Sequence, residues 1–166
     1  RMRVSFGGRG DLHRFEGLDG SDSENAGLSG NISGEYDLLP FLTASAGASH
    51  LFGVVDLAEP FIVNPDWAYP SGGMEPSTAD NVFAGLEFRG EGVSPRLAGF
   101  SLYGKVFKTT IDDIRDEEYR GGPNVYSDLE SVGFEIGAGY AWTDGFVKVG
   151  YADIDTEING NSGTSE

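Results

Sequence analysis

Between positions 132 and 142 the chain alternates without a break. Val132, Phe134, Ile136, Ala138, Tyr140 and Trp142 share one side of an extended backbone, and Gly133, Glu135, Gly137, Gly139 and Ala141 share the other. Successive side chains of a β-strand point to opposite faces, so this period of two predicts a strand with one apolar face. Thr143-Asp144-Gly145 comes next, and Asp-Gly suits a two-residue hairpin turn because its central positions need positive φ. The return run sets Val147, Val149 and Tyr151 against Lys148, Gly150 and Ala152, then enters water at Asp153, Asp155 and Glu157. Residues 129–158 are therefore expected to form a hairpin, and the rest of the chain repeats that unit.

Residues 2–15 place Met2, Val4 and Phe6 against Arg3, Ser5 and Gly7, and residues 28–36 carry Ile32 and Tyr36 on one side. Leu42, Ala44, Ala46 and Ala48 alternate with Thr43, Ser45, Gly47 and Ser49, and Val82, Ala84, Leu86 and Phe88 with Gly85, Glu87 and Arg89. A further strand starts at Phe100, Leu102 and Val106. The pattern predicts an all-β fold, an antiparallel up-and-down meander of about seven strands. Its connections differ in length: 37–40 and 143–145 are short, 90–99 is intermediate, 53–80 and 112–128 are long, and 18–25 is an acidic loop. Short turns at one end and long loops at the other are the arrangement of an outer-membrane barrel, with the short turns in the periplasm. A strand that crosses a bilayer at a tilt needs about 9–11 residues, which the runs around 143–145 supply. Tyr36, Tyr140 and Trp142 stand at strand ends beside short turns, where a periplasmic aromatic girdle would lie. Alternation also describes half of a soluble sandwich, so a smaller non-transporting outer-membrane barrel or a secreted all-β binding module is the alternative.

Composition narrows these readings. The 166 residues include 26 Gly, about twice the ordinary share of ~7%, and Gly scattered through strands suits crowded barrel walls. No apolar run approaches the roughly 18 residues of a transmembrane helix. A net charge of −16 argues against nucleic acid as a partner. The absence of Cys removes thiol catalysis and Cys-based zinc sites, and the two His, His13 and His50, have no ligand spacing. Arg1 opens directly into strand-like sequence and residues 159–166 are polar, so residues 1–166 are expected to be part of a larger transmembrane barrel, without plug or closure.

Three short motifs carry less than they suggest. A calcium loop starting at Asp153 would put Ile158 where Gly is required and Thr164 where Glu is required. Asp112, Asp113, Asp116, Glu117 and Glu118 could supply the carboxylate pair of a glycoside hydrolase, but a run of like charges is the ordinary dress of a solvated loop. Arg9-Gly10-Asp11 matches an adhesion tripeptide and is too short to carry a function.

Met74-Glu75-Pro76-Ser77-Thr78-Ala79-Asp80-Asn81, followed by Val82-Phe83-Ala84-Gly85-Leu86-Glu87-Phe88, resembles the Leu-Lys-Pro-Glu-Thr-x-x-Asn segment and the strand after it in TonB-dependent outer-membrane receptors. Phe52, Leu57, Ala58, Glu59 and Phe61 resemble that family's Phe-Arg-Ala-Pro-x-Leu-x-Glu box, and Asn64-Pro65-Asp66 its following Asn-Pro-Asp. Thr110-Ile111-Asp112-Asp113-Ile114 and Gly133-Phe134-Glu135 are similar to phrases late in the barrel. Gly53-Val54-Val55 replaces Arg-Ala-Pro, and Glu75 and Ser77 replace Lys and Glu. The resemblance implies a barrel of about 22 strands around a plug, in the outer membrane of a Gram-negative bacterium. It implies uptake of an iron complex such as a siderophore, with no enzymatic activity and no cofactor. The partners implied are outer-membrane lipid, the iron complex or a similar nutrient, and the TonB complex, the last through regions outside these residues. The axial His usual in the related haem receptors has no counterpart within 53–80. Phe61, Trp67 and Tyr69 in one long loop and Tyr119, Arg120 and Tyr126 in the next are candidates for an extracellular ligand-collecting surface, or for packing the loops on one another.

Overall fold

The computed structural model describes residues 1–16, 22–53, 76–116, 125–158 and 161–162. Among these, seven long strands and a two-residue eighth lie side by side in chain order in one sheet, each antiparallel to the next. They are β1 (Met2–Glu16), β2 (Asp22–Leu39), β3 (Leu42–Phe52), β4 (Thr78–Arg89), β5 (Phe100–Asp116), β6 (Val125–Trp142), β7 (Gly145–Ile158) and β8 (Asn161–Ser162). The expected meander is present, including the hairpin around Asp144, where Trp142 pairs with Gly145. No helix among the described residues is long and apolar enough to cross a membrane.

Several boundaries differ from the sequence reading, for two reasons. The strands run on past the apolar stretch. β2 begins at Asp22 rather than at Leu28, so residues 22–25 of the expected acidic loop pair with β1. β5 continues to Asp116 and β6 starts at Val125, so most of the 112–128 loop is strand, with Tyr126 paired to Arg115. Past the apolar stretch both faces carry polar residues, and there no polarity pattern marks the pairing. The other difference is the turn expected at 37–40. It centres on Pro40-Phe41, since Leu39 still pairs with Leu42 after a register shift at Asp37. The 90–99 connection contains two short 3₁₀ turns, Gly90–Gly92 and Pro95–Leu97. Gly99 closes it at φ 87°, and its carbonyl accepts from the Ala141 N–H at 2.9 Å. That left-handed backbone is open to Gly at little cost. At the tail, β8 pairs Asn161 with Ile158 and Ser162 with Glu157.

Registers fix which residues share a face. Phe6, Ile32, Ala48, Val82, Lys108, Val132 and Asp155 form one cross-strand row, and Tyr36, Ala44, Leu86, Gly104, Ile136 and Tyr151 another. Most large apolar side chains of the sheet lie on this face and are uncovered: Phe6 is 83% exposed and Leu28 76%. Only Phe52 and Ser29 are buried among the described residues of regular strand, the Ser29 hydroxyl accepting from the Phe52 N–H at 3.0 Å. The sheet therefore has no hydrophobic core of its own. Soluble domains rarely leave so large an apolar face in water.

Candidate functional site

The sheet has two ends as well as two faces. The β2–β3, β4–β5 and β6–β7 connections gather at one end, and the longer 54–75 and 117–124 segments leave from the other. On the apolar face at the short-turn end stand Tyr36, Tyr140 and Trp142, all about half exposed. The Tyr140 and Trp142 rings stack at 6.1 Å, and a side chain on Gly145 would run into the Trp142 ring at 3.0 Å. Aromatic residues that the sequence reading did not assign to this belt extend it. Phe88 packs edge-on between Phe41 at 5.8 Å and Phe100 at 6.3 Å, and Phe100 pairs in register with Tyr140. Phe88 and Phe100 flank the 90–99 connection, and Tyr140 and Trp142 likewise stand beside a short connection, both on the strand that leads into it.

Toward the other end the apolar face gives way to charge. His50 pairs with Asp80 at 2.8 Å, Lys108 with Glu130 at 2.7 Å, and β7 turns from Tyr151 to Asp153, Asp155 and Glu157. The change falls lower on β7 than on β3, because the apolar band crosses the strands at a slant. Apolar positions on β6 run from Val132 to Trp142, a length that fits a tilted crossing of about 9–11 residues. Acidic residues crowd the long-loop end, which is where much of the net charge of −16 resides. Asp113, at φ 58°, forms a bulge in β5 between Ile111 and Ile114, and its N–H donates to Asp128 Oδ1 at 3.2 Å. The described members of the carboxylate run thus sit on a strand rather than around a cleft, and no group of carboxylates and His among the described residues could hold a metal.

The opposite face is polar and closely hydrogen-bonded. Arg3 donates to Glu35 at 2.7 Å and to Asp37 at 3.3 Å, and Arg89 grips Glu87 through two bonds of 2.9 and 3.0 Å. The Thr43 hydroxyl also donates to Asp37, at 3.1 Å. Asn81 donates to Thr109 at 2.7 Å, and Ser131 and Thr156 are 3.0 Å apart. Arg9 spends its guanidinium on Asp11 at 2.7 Å, within the tripeptide itself, which leaves little of an adhesion motif to offer. Glu135 and Gly137 lie on this face, and Phe134, Ile136, Ala138 and Tyr140 on the other, as the alternation implied.

This polar face also carries rings that the alternation did not single out. Phe83, Tyr103 and Phe107 lie on it, each laid over a glycine of a neighbouring strand. A methyl group built on Gly47 would meet Phe83 at 2.6 Å, one on Gly133 would meet Phe107 at 2.8 Å, and Gly137 lies beneath Tyr103. Missing side chains on one strand make room for rings from the next, so the glycines flatten this wall instead of emptying it. Of the residues named as a ligand-collecting surface, Phe61, Trp67, Tyr69, Tyr119 and Arg120 lie outside the described residues, and Tyr126 belongs to β6.

Residues 1–165 match a family model described as TonB dependent receptor-like, beta-barrel. No curated protein and no solved structure gives a match.

Proposed function

The chain belongs to the TonB-dependent receptor β-barrel family, a family of outer-membrane transport proteins rather than enzymes, and on that premise we propose that its sheet forms part of the wall of a larger barrel that takes up an iron complex such as a siderophore. The observation that carries the reading is the division of the two faces, one uncovered and apolar between an aromatic belt and a charged rim, the other hydrogen-bonded and polar. In hydrocarbon every backbone polar group must be paired, which this ladder achieves along all interior strands. The apolar face meets lipid and the polar face lines the lumen.

Strand direction supports the reading of a partial wall. Six successive antiparallel pairings among the long strands make β7 run the same way as β1, so these two cannot join antiparallel, and β8, which runs the other way, covers only Glu157 and Ile158 of β7. Further strands are needed beside both. The extracellular loops, including Phe61, Trp67, Tyr69, Tyr119 and Arg120, gather the ligand, while Tyr36, Tyr140 and Trp142 mark the periplasmic interface. Energised transport by way of the TonB complex follows from the family and not from any residue described here.

Sidedness tests the proposal. In the full-length receptor, an epitope inserted after Gly122 should bind antibody on intact cells, and one inserted after Asp144 should bind only after permeabilisation. Equal binding at both sites on intact cells, or binding at Asp144 alone, would overturn the topology and the role given to the long loops.

A further inference from the structure

Resting on the reading of the polar face as lumen, we propose that Lys105 is a binding point in the lumen wall for a carboxylate or phosphate-like oxyanion on a solute crossing the barrel. Phe83 and Phe107 are direct cross-strand partners on β4 and β5, where two rings ordinarily pack on each other. Here they lean apart, Phe83 over Gly47 on β3 and Phe107 over Gly133 on β6. The Lys105 ammonium occupies the space this opens, 5.2 Å from one ring centroid and 5.6 Å from the other.

The arginines of the wall are spent differently. Arg3, Arg9 and Arg89 each hold a carboxylate. Lys105 faces Glu135 in register, yet Glu135 takes its hydrogen bond from the Tyr103 hydroxyl, and no carboxylate among the described residues forms an ion pair with Lys105. Two ring faces steady the charge without neutralising it or using its N–H donors. Those donors remain for an oxygen anion arriving through the lumen. Lys148 rests 5.8 Å from Phe146 but has one ring rather than two, and it serves as a comparison.

The experiment uses full-length receptor in vesicles with a single thiol at Ser45→Cys. Ser45 shares a register row and a face with Lys105 through Gly85, which places the two backbones about 10 Å apart. An anionic sulfonate-bearing and a cationic trimethylammonium-bearing methanethiosulfonate should react in a ratio that falls about threefold or more when Lys105 becomes Met, is kept by Lys105→Arg, and is unmoved by Lys148→Met. Inorganic phosphate, with ionic strength held by chloride, should slow the anionic reagent only when position 105 is cationic. A ratio indifferent to Lys105→Met, phosphate protection that survives it, or a thiol that neither reagent reaches would overturn the anion site. A thiol at 45 that reacts only with a lipid-soluble maleimide would instead defeat the lumen assignment on which the site depends.

Discussion

Arginine in place of Ile136 should largely abolish insertion of the full-length receptor, while arginine in place of Ala152 should leave it near the wild-type level. The two positions lie on adjacent strands, one register step apart: Ile136 pairs with Tyr151, and Glu135 with Ala152. They therefore sit at nearly equal depth and differ in face. Ile136 lies midway along the apolar run of β6, 50% exposed, and its β5 partner is Gly104, which has no side chain to shield a charge. A guanidinium on the lipid face near the bilayer midplane costs about 2–4 kcal/mol, a large fraction of the 5–15 kcal/mol that holds a typical protein folded. At Ala152 the same guanidinium would lie beside Glu135 in a polar lumen. Refolding yield into vesicles, and protease resistance afterwards, measure both. Equal yields, or a greater loss at Ala152, would mean that the faces are assigned the wrong way round.

Residues 1–166 expressed alone should not be a stable monomer in plain buffer. Among the described residues, β1 and β7 leave long edges with unpaired N–H and C=O groups, apart from the two residues covered by β8, and such edges template pairing with other copies. β1 and β7 run parallel and the two-residue β8 is too short to bridge them, and Phe6, Leu28, Ile32 and Val149 would all face water. With almost no buried side chains among the described residues, there is little to oppose the conformational entropy of ordering them. Sedimentation without detergent should show aggregates, and micelles should restore dispersed protein. A monodisperse species with a cooperative unfolding transition in plain buffer would favour a soluble binding module instead.

What could be read from the sequence, and what could not, follows from where each residue sits. Phe134, Glu135 and Ile136 announce a strand because consecutive side chains meet different surroundings. Above the apolar band that contrast disappears. Asp112 and Asp128 therefore looked like loop although their strands continue past them. Pro40 drew attention to the right turn but not to its centre, because the pairing of Leu39 with Leu42 depends on a register shift that no local pattern encodes. The seating of Phe83 on Gly47 and Phe107 on Gly133 relates different strands. Along the chain those glycines read only as small residues, and the open seat of Lys105 was invisible for the same reason. Tyr36, Tyr140 and Trp142 were legible as a group because each lies beside a short turn on the apolar parity.

The central claim is that the two faces of β6 meet different media, and a nitroxide walked along positions 134–140 of the full-length receptor in a bilayer measures it directly. Oxygen, which dissolves in lipid, should relax labels at 134, 136 and 138 most strongly. A water-soluble nickel chelate should favour 135 and 137, so that the two accessibilities oscillate out of phase with a period of two. High oxygen accessibility at 135 with none at 136 would reverse the orientation of the wall. Two accessibilities that rise and fall together would show that the apolar face does not meet lipid at all.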